Sequence, residues 1–132
     1  MSDQLIVEFP GGKRVDVAVG GFTVKTDQLP QHGGAGSAPQ PFLLFLASIA
    51  SCSGIYALNF CHSRDISADG LGLSMDWEHD GKNLADAVVR LHLTLPPGFP
   101  ERYRDGIVKA MSLCAVKKHI IDAPRFEVEV RD

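Results

Sequence analysis

Three cysteines and five histidines are the residues of this chain best suited to covalent, redox or metal chemistry. Cys52 and Cys61 lie nine residues apart in one uncharged run. At about 100° per helical residue they face roughly opposite sides, so they cannot pair within a helix. Cys114 is then the cysteine that Cys52 could meet. Two thiols in reach of each other could cycle between thiol, sulfenic acid and disulfide. Packing accounts for the same placement, because free cysteine is among the most buried residue types and behaves as a small hydrophobe. Spacing alone leaves both readings open. His32, His62, His79, His92 and His119 are scattered over predicted loops, helix ends and an exposed strand face. Two cysteines on two helices match no zinc spacing, so neither a metal site nor a cofactor is expected. His119 follows Cys114 by five residues, about 140° around a shared helix, which weighs against a Cys-His nucleophilic pair. It reads instead as a helix-end residue near the negative pole of the dipole.

The elements that must position these thiols are legible from periodicity. Leu5, Val7 and Phe9 alternate with other residues, Pro10-Gly11-Gly12 turns, and Val15, Val17 and Val19 alternate with Arg14, Asp16 and Ala18. Gly20-Gly21 turns again into Phe22 and Val24, which makes a three-stranded meander. Residues 28–41 are rich in Gly, Pro, Gln and Ser and form a loop ending where Pro41 can occupy the first turn of a helix. That helix runs to about Arg64. Leu71, Leu73, Met75 and Trp77 then alternate with polar residues and pair, across Asp80-Gly81, with Leu91, Leu93 and Leu95. After Pro96-Pro97-Gly98, the stripe Tyr103, Ile107, Met111 and Cys114 predicts a second helix with Cys114 on its buried face. Phe126, Val128 and Val130, interleaved with charges, predict a closing strand. The expected class is α+β in the order βββ-α-ββ-α-β, one domain over residues 1–132.

Composition narrows the partners. The chain has 132 residues, 13 Lys plus Arg against 16 Asp plus Glu, and a formal charge of −3. That leaves no broad positive field for nucleic acid or for an anionic membrane surface. An odd, small number of cysteines in a chain of this length argues for a reducing compartment. Met1-Ser2-Asp3-Gln4 offers no basic n-region and no long apolar segment precedes Gly11, so a cytoplasmic location is expected. From Phe42 to Cys61, however, twenty residues carry no charge, about 30 Å of helix and the length of a membrane span. Ser48, Ser51, Ser53 and Asn59, and the absence of basic anchors just before the run, argue against insertion. A helix apolar all round needs cover on every face, and a partner subunit would supply it. Gly54 within it costs roughly 1 kcal/mol relative to Ala and leaves room for a close approach beside Cys52.

Gly33-Gly34, Ala38-Pro39-Gln40-Pro41, the string FLLFLASIASC ending at Cys52, and LCAVKKH with Cys114 sixty-two residues later resemble the OsmC/Ohr family. These are the osmotically inducible protein C and organic hydroperoxide resistance proteins. The resemblance spans nearly the whole chain and implies an OsmC-like fold in an intertwined homodimer, with the long apolar helices buried between subunits and each active site at the interface. It places Cys52 at the peroxidatic position and Cys114 at the resolving one, in a thiol-dependent peroxidase that reduces organic hydroperoxides in an oxidative stress response. A dithiol or thiol-protein reductant would restore the thiols. In that family an Arg from the N-terminal strands, held by a Glu about ten residues before the reactive Cys, stabilises the thiolate. Here Phe42 stands ten residues before Cys52, as in the broader OsmC-like members that lack the Glu, and Gln40 is the nearest polar residue in the preceding loop. Arg14 is the first candidate for the basic group, Lys13 the second, and Asp27 a candidate to orient it; a strand surface charge and a turn cap are the competing readings. Phe42, Phe45, Tyr56, Trp77 and Phe99 are candidate walls of a pocket for an organic peroxide, or else ordinary core and dimer contacts. The alternative function is a non-catalytic or redox-responsive module that binds an apolar small molecule, its cysteines packed and inert.

Overall fold

Alternating apolar residues separated by glycine turns fold locally into antiparallel hairpins, and the chain does this twice. The computed structural model describes residues 4–132. It divides into two compact units, one up to Ala47 and one from Ser48. In the first, β1 (Ile6–Gly11), β2 (Arg14–Val19) and β3 (Phe22–Thr26) form a sheet in the order β1-β2-β3, both pairs antiparallel. Gly20 and Gly21 have φ of 56° and 80°, the left-handed pair that a two-residue hairpin turn requires, and they close Val19 onto Phe22.

Asp27 organises the loop that follows. It is buried, and its carboxylate accepts hydrogen bonds from the Gln28 amide (2.7 Å), the Ser37 amide (3.0 Å) and the Ser37 hydroxyl (2.6 Å). Its own amide donates to the Pro39 carbonyl. Residues 28–40 are therefore a clasped loop. A 3-10 turn at Pro30–His32 lies within it.

The helix α1 (Pro41–Ser63) begins at the proline expected to open it. Its end is a Schellman arrangement with Asp65 in the left-handed region at φ 53°: the Asp65 amide donates to His62 O and the Ile66 amide to Cys61 O at 2.9 Å. The left-handed residue costs about 1–2 kcal/mol, which the two hydrogen bonds and the packing of Ile66 on the Cys61 cluster offset. α1 is long and apolar enough to cross a membrane by length and composition. Much of its apolar surface is open within the single chain: Phe42 is 50%, Leu43 56% and Ile55 46% exposed.

In the second unit β4 (Gly72–Glu78) pairs antiparallel with β5 (Val88–Thr94), bringing Leu73 opposite Leu93 and Met75 opposite Leu91. The other face carries Glu78–Arg90 and Asp76–His92 contacts, each 2.9 Å. Exposed pairs of this kind are worth only about 0–1 kcal/mol, so the leucine face decides the register. That face packs on a core of Ala57, Phe60 and Cys61 from α1 with Ile107 and Met111. Gly106 allows the closest part of this packing, since a Cβ there would lie 3.1 Å from the Phe60 ring. At Gly54 an added Cβ would meet only Leu73 Cδ2 at 3.7 Å, an ordinary contact, so the chain itself makes no close approach there.

Two expected elements differ. The single second helix is two, α2 (Arg104–Ser112) and α3 (Ala115–Ile121), so Cys114 and His119 do not share a helix. The closing strand does not form: residues 123–132 have no helix or strand assignment, and Phe126, Val128 and Val130 are 86–96% exposed. A strand exists through pairing with a neighbour, and this segment pairs with none among the described residues. Its Arg125–Glu127 and Glu129–Arg131 ion pairs link residues two apart, on one side of the extended backbone.

Hydrogen bonds hold the Asp27 carboxyl down to about 2, the Ser37 hydroxyl contributing most and the Ser37, Gln28 and Ala35 amides adding to it against the opposing effect of burial. A depressed folded value means stability fully present above the ordinary value of 3.8 and lost as pH falls through about 2. Asp27→Asn is expected to unfold at lower denaturant than the parent at pH 7, with the gap closing toward pH 2; equal midpoints at pH 7 would show that the clasp contributes nothing.

Candidate functional site

The break between α2 and α3 creates the site. Leu113 donates to Ala110 O and Cys114 to Met111 O, tight closing bonds of a helix end; Cys114 then turns extended (φ −48°, ψ 126°), and Lys118 N–H bonds its carbonyl to start α3. First-turn amides of a helix have no acceptor within it. Those of Ala115 and Val116 find one in the Cys52 sulfur, which also accepts a hydrogen bond from the Cys114 thiol. Cys114 is fully buried and Cys52 partly so. The two thiols are thus free and adjacent.

These contacts pull the Cys52 thiol below its ordinary value. The Cys114 thiol is the largest cause, the Val116 and Ala115 amides follow, burial opposes them, and the Lys117 ammonium adds a favourable charge. Cys61 is the reverse case: buried in the core, it is pushed up by desolvation alone. The arrangement separates one activated thiol, one neighbouring thiol and one inert thiol. Lys117 is half-buried and lines a small cleft of about 200 Å³ with Leu91, Leu93, Val108, Met111 and Ser112.

The other residues singled out by sequence have the following contacts within their own units. Arg14 pairs with Asp16 at 3.3 Å on β2. Asp27 is engaged by Ser37 and Gln28 in the loop clasp. The Phe42 and Phe45 rings lie 5.6 Å apart in the first unit. In the second, Phe99 packs on Phe60 with ring centroids at 6.4 Å, Trp77 stacks on His79 at 5.2 Å, and Tyr56 faces a groove between α1 and α2. Phe99, Trp77 and Tyr56 thus do not share one wall. Lys13 is at the β1–β2 turn, where its Cε would be 3.7 Å from a Cβ placed on Gly33. His119 is exposed, its Nδ1 2.6 Å from the Ala115 carbonyl oxygen, which makes Nδ1 the protonated nitrogen. Among the described residues no group of three or more His, Cys, Asp or Glu is gathered as a metal site would need. Sequence reasoning missed Lys117 and the two amides. The available signal was the Lys117-Lys118 pair following Cys114.

An α+β fold with a long apolar helix and two thiols in contact defines a narrow class. The OsmC-like protein family model matches residues 34–129, and the chain belongs to that family. No curated protein matches it. Among solved structures it is similar to a Psychrobacter arcticus protein described as a candidate osmotic stress induced and detoxification response protein, with 18% identity, TM-score 0.70, and coverage of 86% of this chain and 85% of that one. It is also similar to a Legionella pneumophila organic hydroperoxide resistance protein OsmC, described as a predicted redox protein and regulator of sulfide bond formation. There the identity is 17%, the TM-score 0.61 and the coverage 91% and 89%.

If Lys117 contributes charge at Cys52, Lys117→Met should shift the pH profile of Cys52 alkylation upward and slow iodoacetamide labelling at pH 7 by roughly threefold, since the thiolate is the reacting form. Lys117→Arg should preserve the profile. A profile identical in Lys117→Met would remove Lys117 from the site.

Proposed function

We propose that the chain is a thiol-dependent peroxidase that reduces organic hydroperoxides. The observation carrying this reading is the Cys52 sulfur held by the Cys114 thiol and by the amides of Ala115 and Val116. A thiolate so held attacks the terminal oxygen of R–O–OH: the S–O bond forms, the O–O bond breaks, and the alkoxide leaves and takes a proton to become the alcohol. Cys52 is left as a sulfenic acid. Cys114 then attacks the Cys52 sulfur, giving the disulfide and expelling the hydroxyl as water with the Cys114 proton. A dithiol or thiol protein returns two electrons to the disulfide. Family membership and the hydroperoxide resistance of the Legionella protein support the same chemistry. In this reading the Arg14, Lys13 and Asp27 roles expected from sequence are secondary, because α3 and Lys117 already hold the thiolate.

Reduced protein treated with an organic hydroperoxide should form a Cys52–Cys114 disulfide, visible as a loss of two hydrogens in the linked peptides. Cys52→Ser should lose turnover by at least roughly a hundredfold, the scale expected when a nucleophile is removed. Cys114→Ser should stop after one equivalent of peroxide, with a sulfenic acid trapped by dimedone. Equal peroxide consumption by wild type and Cys52→Ser would end the proposal.

We further propose that the working unit is a cytoplasmic homodimer. Supporting it are the open apolar surface of α1 and the unpaired alternation of Phe126, Val128 and Val130. Sedimentation equilibrium without detergent should give twice the 14.3 kDa chain mass; a monomer at micromolar concentration, or a requirement for detergent, would refute it.

A further inference from the structure

The buried side of α1 is a stripe of Ile49, Ser53, Ala57, Phe60 and Cys61, in which Ser53 supplies a hydroxyl. Ile107, Met111 and Cys114 are the buried residues at the same spacing on α2 and just past its end. Ala57, Phe60 and Cys61 share one core with Ile107 and Met111. The two stripes run antiparallel. A Cβ on Gly106 would lie 3.1 Å from the Phe60 ring, and eight residues back along α1 and eight forward from Gly106 are Cys52 and Cys114, which lie against each other. The next step beyond Ala57 and Met111 is therefore Ser53 on one side and Cys114 on the other, both 0% exposed. Among the described residues nothing bonds the Ser53 hydroxyl. Other helical serines here donate to the carbonyl three residues back: Ser51 to Ser48, Ser63 to Phe60 and Ser112 to Lys109. Buried hydroxyls as a rule have a partner, so one without is a donor whose acceptor belongs to another state of the site.

That state arises when charge passes to the Cys114 sulfur. Cys52 is the partly exposed cysteine and Cys114 the buried one, so a thiol that reduces a Cys52–Cys114 disulfide reaches Cys52. Its thiolate bonds to the Cys52 sulfur, the bond between the two cysteines breaks, and Cys114 leaves with the electron pair as a thiolate before taking a proton. A thiolate in a buried site is strongly disfavoured unless a donor meets it. We propose that the Ser53 hydroxyl turns onto Cys114 and donates to its sulfur as this charge develops, which makes Ser53 a third working group of the thiol site. The same donation serves Cys114 when, as a thiolate, it attacks the Cys52 sulfenic acid; that clause rests on the peroxidase reading, whereas the disulfide reduction does not.

The measurement needs no peroxide. Wild type and Ser53→Ala are oxidised with diamide to the Cys52–Cys114 disulfide, and its reduction by dithiothreitol is followed by alkylation quenching and mass spectrometry. A leaving thiolate that has lost a donor leaves more slowly, so Ser53→Ala should be reduced at least about fivefold more slowly, and Ser53→Thr, which keeps the hydroxyl, should recover most of the rate. Iodoacetamide labelling of Cys52 in the reduced protein should be unchanged in Ser53→Ala. Its denaturant midpoint should not fall, because the hydroxyl removed has no partner in that state. Equal reduction rates in wild type and Ser53→Ala, an equal slowing of reduction and of Cys52 labelling, or no recovery in a folded Ser53→Thr would overturn the proposal. The two readings fail separately: an unchanged reduction rate with hydroperoxide turnover intact refutes the Ser53 role alone, and slowed reduction in a protein without turnover refutes the peroxidase alone. A disulfide that diamide cannot form refutes both.

Discussion

Between Met111 and Ala115 the backbone leaves the helix for two residues and then resumes it, and the amides exposed by that restart are the ones the Cys52 sulfur meets. A continuous helix through Cys114 would have spent those N–H groups on its own carbonyls. It would also have left Cys52 facing apolar side chains, where burial raises a thiol, as it does at Cys61. The break thus sets hydrogen-bond donors, rather than apolar side chains alone, beside the Cys52 sulfur. Its cost is low because the closing bonds from Leu113 and Cys114 and the opening bond from Lys118 satisfy the groups on either side.

The rest of the second unit serves to hold that junction in place. Phe60 packs edge-on against Tyr103 at 5.9 Å and lies against Phe99, while Gly106 lets α2 come close to its ring. Met111, just before the break, belongs to the same core as Ala57 and Cys61. The position of the α2 end relative to α1 is therefore fixed by the close-packed contacts that lead up to the break, and packing at native density leaves little room for that end to drift. Cys61 contributes as a buried hydrophobe, its chemistry suppressed by the same burial that makes it useful.

Period-two and period-3.6 patterns were enough to read both hairpins, the start of α1 at Pro41, and the buried side of Ile107, Met111 and Cys114, because each is fixed by which residues leave water. The break at Cys114 was not readable. Neither Gly nor Pro marks it, and the apolar stripe continues through it, so local propensity and tertiary geometry disagree there and tertiary geometry wins. The missing last strand failed differently: its alternation is real, but a strand is a property of two segments, and a single-chain pattern does not name the second. The aromatic residues are a third case. Phe99 and Trp77 were grouped by chemistry, whereas the sheet and the helices send them to different neighbours.

Phe42 at the position where the family carries a Glu looks like a defect only if the thiolate must be held by a distant arginine. A carboxylate there is useful for aligning a guanidinium; without that guanidinium it would have nothing to align. Where the stabilising donors are backbone amides and a neighbouring thiol, no aligning carboxylate is required, since amides are positioned by the helix they begin and carry no side-chain freedom to restrain. In that setting an apolar residue is the compatible choice for the first turn of α1.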